Sequence, residues 1–277
     1  MKHIIAVHDL SGFGRCSLSV VMPTLSAMGV RCYPLLTAYL SAHTAFPTTG
    51  HEVFLDLTRE MPQVLEHWKA LGAQFDGFYS GFLGSAEQMD TLTACLRDFR
   101  RPGFWAMVDP VMGDNGQPYR TYTPQLCARM AELAAQADVI TPNLTEAAIL
   151  LGEDYDPDPS LDKATDWLNR LSLDGRRSVV LTGLSLAPST LGAGCLDRET
   201  GQVYTAQAPL AHGRFSGTGD LFASVCLGKL LAGQSLSQAT QAAVDFVAKA
   251  AQATLDRGGD PLQGADFEPL LGLLAQS

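Results

Sequence analysis

Phe104-Trp105-Ala106-Met107-Val108-Asp109-Pro110-Val111-Met112-Gly113-Asp114 runs from a short β-rich stretch into a polar, Gly-rich loop. A strand that delivers polar residues just beyond its carboxyl end is the unit from which ligand-binding α/β sheets are built. The layout returns at Val139 to Thr141, which leads through Pro142 into Asn143-Leu144-Thr145-Glu146 and a helix. Further strand-like runs lie at Ile4 to Val7, Cys32 to Thr37, Gly77 to Ser80 and Val179 to Thr182, with stretches of helical period between them. Such alternation predicts βαβ units and a three-layer α/β/α architecture around a mainly parallel sheet.

The helical stretches carry apolar stripes. Phe54, Leu57, Met61, Leu65, Trp68 and Leu71 recur at spacings of three and four and predict one core-facing helix. Leu126, Met130 and Leu133 predict another, and Leu236, Ala243, Val244, Val247 and Leu255 a long one near the C-terminus. Ala193 to Ala208 alternates weakly about the polar tip Asp197-Arg198-Glu199-Thr200-Gly201, which predicts an antiparallel hairpin appended to the sheet. No repeat or low-complexity linker divides the chain, and Asp154-Tyr155-Asp156-Pro157-Asp158-Pro159 fits a surface loop, so a single domain over residues 1–277 is expected.

Composition narrows the classes of partner. With 46% hydrophobic and 17% charged residues over 277 positions, the chain can bury one sizeable core. A net charge of -10 with no Lys/Arg-rich run disfavours nucleic acid and favours a small-molecule ligand. The six cysteines form no CxxC pair, which excludes a zinc ribbon or a disulfide scaffold. No leader-like start and no long apolar run is present, so no membrane association and a cytoplasmic location are expected.

The sharpest chemical signal is Phe215-Ser216-Gly217-Thr218-Gly219-Asp220-Leu221-Phe222-Ala223-Ser224, a small-residue turn opening an apolar helix. Gly217 and Gly219 let backbone approach a ligand, and the N–H groups of a first helical turn face an anion with the helix dipole behind them. Asp220 would stand beside that anion hole, where a carboxylate can accept a hydroxyl proton. The bland alternative is a loop with an N-cap. A dinucleotide site is disfavoured, since Gly12-Phe13-Gly14-Arg15-Cys16-Ser17 lacks the third glycine of that fingerprint, and no GxxxxGK[ST] phosphate loop occurs. Asp114, Asn143 and Glu146 offer hard oxygen donors suited to Mg²⁺ through retained waters, but Asn143 can equally cap a helix whose third residue is Glu146.

Together, Asp109-Pro110-Val111-Met112-Gly113-Asp114, Thr141-Pro142-Asn143-Leu144-Thr145-Glu146-Ala147 and Gly217-Thr218-Gly219-Asp220, in this order and spacing, resemble the vitamin-kinase branch of the ribokinase superfamily over nearly the whole chain. Ser41-Ala42-His43-Thr44 and Ser80-Gly81-Phe82-Leu83-Gly84-Ser85-Ala86-Glu87-Gln88 are similar to motifs of its pyridoxal kinases, whereas hydroxymethylpyrimidine kinases share only the other three. The resemblance implies a ribokinase-like fold without a separate lid domain, and ATP-dependent phosphorylation of the 5'-hydroxymethyl group of pyridoxal, pyridoxine or pyridoxamine. It implies Asp220 as general base, Gly217, Thr218 and Gly219 as anion hole, and ATP held by Asp114, Asn143, Glu146, Thr182, Gly183 and Thr218. Mg²⁺ would lie near Asp114 and Glu146 through water, with a monovalent cation such as K⁺ as a further expectation. Around the vitamin it implies His43, Thr44 and Phe82. Asp9, with Ser11 two residues on, stands where many of these kinases carry a substrate-contacting Ser; it reads either as a ring contact or as a turn cap. A homodimer is expected from the resemblance. The rival readings are a hydroxymethylpyrimidine (phosphate) kinase and a nucleotide- or B6-binding protein without turnover.

Overall fold

The computed structural model describes residues 1–275. Its chain order is β1 (Lys2–Ser11), α1 (Leu18–Ala27), β2 (Val30–Leu40), β3 (Phe54–Asp56), α2 (Met61–Ala70), β4 (Gly77–Ser80), α3 (Ala86–Phe99), β5 (Trp105–Val108) and a small hairpin of β6 (Gly113–Asp114) and β7 (Gln117–Pro118). There follow α4 (Pro124–Ala134), β8 (Val139–Ile140), α5 (Leu144–Leu151), α6 (Leu161–Leu171), β9 (Ser178–Leu184), β10 (Thr190–Leu196), β11 (Val203–Pro209), α7 (Thr218–Leu231) and α8 (Leu236–Asp256).

Nine strands form one sheet in the order β11-β10-β9-β8-β5-β4-β1-β2-β3. From β9 to β2 all neighbours are parallel; β10 and β11 extend one end as the expected antiparallel hairpin, and β3 closes the other antiparallel to β2. Both faces of the sheet are covered. Along β1, Ile5 and Val7 point into a core shared with α2 to α6, while Ile4 and Ala6 point into a second core shared with α1, α7 and α8. That two-sided burial explains why the parallel strands read as continuous apolar runs. Helix α7 is buried along its whole length from Leu221 to Leu231, sandwiched between α1 and α8, so it presents no amphipathic stripe.

One expected element is different. Phe54 and Leu57 do not belong to a helix: Phe54 lies in edge strand β3, and the helix starts only at Met61. Pro62 in the first turn fixes that start, because proline fits a helix only where its missing N–H is not needed. Met61 and Leu65 face the core, whereas Phe54 and Leu71 are exposed, so the stripe joined two elements by coincidence of spacing.

The strand order reverses between β1 and β4, since β2 lies on one side of β1 and the later strands on the other. At such a switch point the loops leaving adjacent strands diverge and open a crevice at their carboxyl ends.

Candidate functional site

Asp220 sits at this crevice. It lies in the first turn of α7, whose N-cap Gly217 adopts a left-handed conformation with φ 72°. A Cβ on Gly217 would stand 2.3 Å from the Arg15 carbonyl oxygen, so only glycine lets the turn lie against the β1–α1 loop. Arg15 is fixed in turn, its N–H donating to the Gln263 carbonyl at 2.8 Å, and Ser216 N–H donates to Pro261 O at 3.2 Å. The C-terminal turn at 261–263 therefore staples both loops together.

The carboxylate of Asp220 is held asymmetrically. Its Oδ2 accepts the Ser17 N–H at 2.7 Å and the Cys16 thiol at 3.6 Å. Its Oδ1 faces His8 Nδ1 at 3.8 Å, beyond hydrogen-bond reach. Burial pushes the Asp220 carboxyl up to about 6, against the pull of the Ser17 N–H. His8 is fully buried and its pKa is driven down to about 3, so the ring is neutral, and neither nitrogen has a hydrogen-bond partner among the described residues. The ring packs edge-on against Tyr79 at 4.4 Å. It also lies so close over Gly81 that a Cβ there would meet Nδ1 at 2.4 Å.

Asp9, at the end of β1, is buried, and both its oxygens are engaged: Ser17 Oγ donates to Oδ1 at 2.6 Å and Ser11 Oγ to Oδ2 at 3.0 Å. Desolvation raises its pKa, the two hydroxyls opposing. His43 lies close enough to exchange charge effects with Asp9, but its nitrogens are used internally: Nδ1 accepts from Ala45 N–H at 3.3 Å, and Nε2 therefore donates to Leu262 O at 2.9 Å. His43 thus fastens its loop to the C-terminal turn and has no nitrogen to spare for a ring substituent. Thr44 follows it as an exposed residue, and Phe82, just beyond β4, is partly buried with Tyr122 edge-on at 6.0 Å.

A second group lies beyond β5 and β8. Asn143 and Glu146 do form a capping box at the start of α5: Asn143 Oδ1 accepts from Glu146 N–H at 2.9 Å and Glu146 Oε2 accepts from Asn143 N–H at 2.8 Å. The remaining Glu146 oxygen accepts from Met112 N–H at 3.2 Å, and Asn143 Nδ2 donates to Gly113 O at 2.9 Å. The capping alternative is therefore real, and it also welds the β5 loop to α5. Thr182 N–H donates to Pro142 O at 2.9 Å, and Thr182 pairs with Asn143 in an isolated parallel bridge, which brings Gly183 (φ 87°) beside Leu144. Asp114 is exposed on the β6–β7 hairpin and accepts from Asn115 N–H at 2.9 Å.

Four contributors carry no clear sequence signal. Asp109 belongs to a noted motif but had no assigned task; its Oδ2 lies 4.0 Å from the Cβ position of Gly219, under the turn. Burial and the Asp220 charge raise its pKa well above the usual range, and burial and Asp109 do the same for Glu146. His8 and Ser17 reveal themselves only once β1 and α7 are packed together. Arg214 adds a cation, donating to Asn115 Oδ1 at 3.0 Å.

Two buried carboxyls side by side, Asp109 and Glu146, with the exposed Asp114 close by, are a hard oxygen set that a divalent cation would relieve of mutual repulsion. The donor chemistry therefore fits Mg²⁺ held largely through water, although no cluster of three or more close metal-ligating side chains occurs among the described residues.

Sheet order, crevice and helix-opening turn together define the ribokinase-like class of α/β protein. A family model described as phosphomethylpyrimidine kinase matches residues 22–263. The chain belongs to that family, on the branch it shares with pyridoxal kinases. It is 30% identical to pyridoxal kinase PdxY of Haemophilus influenzae over 98% of this chain and 96% of that one. It resembles the crystal structure of pyridoxal kinase from Lactobacillus plantarum with a TM-score of 0.91 and 32% identity, covering 100% of this chain and 97% of that one. A Bacteroides thetaiotaomicron structure, called a phosphomethylpyrimidine kinase and solved with pyridoxal, is similar at 40% identity and a TM-score of 0.93, over 99% of this chain and 95% of that one.

Proposed function

We propose that this protein transfers the γ-phosphoryl group of ATP to the 5'-hydroxymethyl group of a B6 vitamer, as one kinase unit spanning the chain. The observation that carries the reading is the asymmetric setting of Asp220. One oxygen is fixed by Ser17 and Cys16, leaving Oδ1 to take the hydroxyl proton beside the open N-terminus of α7. With a pKa near 6 the group is mostly ionised at neutral pH, yet basic enough to accept a proton in the transition state. Thr218, Gly219 and the Gly217 turn would stabilise the charge that develops on the transferring phosphoryl oxygens.

Asp109, Asp114 and Glu146 would hold Mg²⁺, which when bound neutralises nucleotide phosphate charge. Thr182 and Gly183, with the β10–β11 hairpin, would flank the nucleotide, and a K⁺ ion is a further candidate. Phe82 offers an apolar face to the flat heterocycle, and Asp9 with Ser11 would line the vitamin side. His43 would shape that pocket through its contacts, its nitrogens being engaged. A homodimer is supported by the exposed apolar run of Phe54 and Leu55 on edge strand β3 with Val53 just before it, which a second copy could cover. Among the described residues no helix is long and apolar enough to cross a membrane, and a cytoplasmic location is part of the proposal.

The test is ATP consumption by the purified protein with Mg²⁺ against pyridoxal, pyridoxine, pyridoxamine and hydroxymethylpyrimidine. Turnover of a B6 vitamer is expected. Turnover of the pyrimidine alone would move the function to that rival acceptor, and no turnover of any would leave a binding protein.

A further inference from the structure

Ser17 holds a backbone conformation that its side chain should forbid. Its φ of 54° and ψ of -132° place it in a region open to glycine and strained for any residue with a Cβ. It is the N-cap residue of α1, yet its side chain makes no capping hydrogen bond, the task for which serine is usually selected there. Oγ instead donates to Asp9 Oδ1 at 2.6 Å, and the backbone N–H donates to Asp220 Oδ2 at 2.7 Å. Asp9 is itself fixed, buried at the end of β1 and taking the Ser11 hydroxyl on its other oxygen. A strained residue persists only where its surroundings over-determine it. Here the surroundings are two carboxylates, one on the central sheet and one on α7, joined through a single residue.

We infer that Ser17 is a positioning residue for Asp220: anchored by Asp9, its strained backbone holds Oδ2 so that Oδ1 alone is presented to the acceptor hydroxyl. The inference rests on the reading of Asp220 as the base. Glycine would adopt the same backbone without strain, so serine at this position is explained by the Asp9 contact it makes rather than by the turn it permits. Removing Oγ takes away the anchor to Asp9, so the loop that carries the Ser17 N–H is free to drift, and a shift of about 1 Å at the base is enough to cost on the order of a hundredfold in rate. The groups facing Asp220 are His8 and Asp9 from β1, Cys16 and Ser17 from the following loop, Tyr79 from β4 and Asp109 from beyond β5. Among them Ser17 N–H and Cys16 S–H are the donors that favour the ionised carboxylate, so loosening Ser17 moves the protonation of Asp220 to higher pH.

The experiment compares Ser17→Gly, Ser17→Ala and Asp220→Asn with their double combinations in the full chain, by steady-state kinetics with ATP and pyridoxal from about pH 5 to about pH 9. Ser17→Gly is expected to melt no lower than wild type. It should lose roughly tenfold to a hundredfold in kcat with the KM for ATP little changed, and shift the acid limb of kcat upward in pH. Ser17→Ala should lose similar activity and also stability, because its Cβ keeps the strain while the Asp9 bond is gone. In the Asp220→Asn background, Ser17→Gly should add nothing, since Ser17 acts through that carboxylate. If Asp220→Asn abolishes turnover while Ser17→Gly keeps wild-type kcat and pH profile, the role of Ser17 falls and the base stands. An equal Ser17→Gly loss in both backgrounds also overturns it. If Asp220→Asn alone turned over like wild type, the assignment of the base would fall, and the inference with it.

Discussion

Gly217→Ala should damage this protein in a way that can be worked out before it is made. The left-handed backbone at φ 72° costs a residue with a Cβ roughly 1–2 kcal/mol. The new methyl would stand 2.3 Å from Arg15 O, 3.1 Å from Arg15 C and 3.3 Å from Cys16 Cα, all backbone atoms that cannot swing aside. Overpacking of that kind adds about 1–3 kcal/mol. At about 2 °C per kcal/mol for a chain of this size, the melting temperature should fall by roughly 4–10 °C. Gly233→Ala is the control: φ is 87° but no atom lies within 4 Å of the added carbon, so only the backbone cost applies. If the turn instead moves to relieve the clash, stability recovers toward the control and the rate drops on the order of a hundredfold, because the turn and Asp220 shift together. Thermal melts and a coupled ATP assay on both variants separate the cases. A Gly217→Ala protein that melted like Gly233→Ala and also kept wild-type kcat would refute the packing of this turn against the β1–α1 loop.

Further outcomes follow from the same geometry. The kcat profile should fall on the acid side with a midpoint near pH 6, as Asp220 is protonated; a midpoint near the ordinary aspartate value would mean that its burial is not felt in the complex. Burial raises the pKa of Asp109 and of Glu146 in the folded protein well above the ordinary 3.8 and 4.5, so their contribution to stability is complete below those values and is lost as pH rises toward the folded ones. The metal-free protein should therefore melt lower at about pH 7 than at about pH 5, just above the ordinary carboxyl range, and Mg²⁺ should reduce the difference. Gly81→Ala would drive a methyl to 2.4 Å from His8 Nδ1 and 2.6 Å from its Cε1, and with that ring buried against Tyr79 both the melting temperature and kcat should fall, read by thermal melts and the ATP assay. Phe54→Asp on β3 should yield a monomer in sedimentation if the edge strand carries the dimer; an unchanged dimer would place the contact elsewhere.

Much of this molecule was legible in its sequence because its chemistry sits where strands end. Most of the parallel strands are continuous apolar runs that hand over to loops rich in Gly, Pro, Asp and Asn, so the expected strands and the order of the motifs carry over into the sheet. The helix-opening turn was equally visible, since a small-residue stretch before an apolar run reads as a helix start, and α7 does open there at Gly217. The failures have physical causes. Phe54 and Leu57 matched a helical spacing, but an edge strand that pairs on one side only leaves no distinctive pattern. His43 reads as a vitamin contact from its motif, and what its motif does not announce is that Ala45 N–H in its own loop and the Leu262 carbonyl of the C-terminal turn engage both its nitrogens. Ser17 and His8 were silent because what matters in them is a backbone dihedral and a buried, unpaired ring, and both arise only when β1 meets α7.

The account turns on Asp220 as the group that takes the hydroxyl proton, and single-turnover phosphorylation of pyridoxal by Asp220→Asn tests it most directly, with nucleotide binding measured on the same preparation. The amide keeps the shape of the side chain and can still accept the Ser17 N–H, but it cannot take up a proton. Nucleotide affinity close to wild type with phosphorylation slowed by on the order of 10²–10⁴-fold is the predicted result. Phosphorylation at the wild-type rate would contradict it.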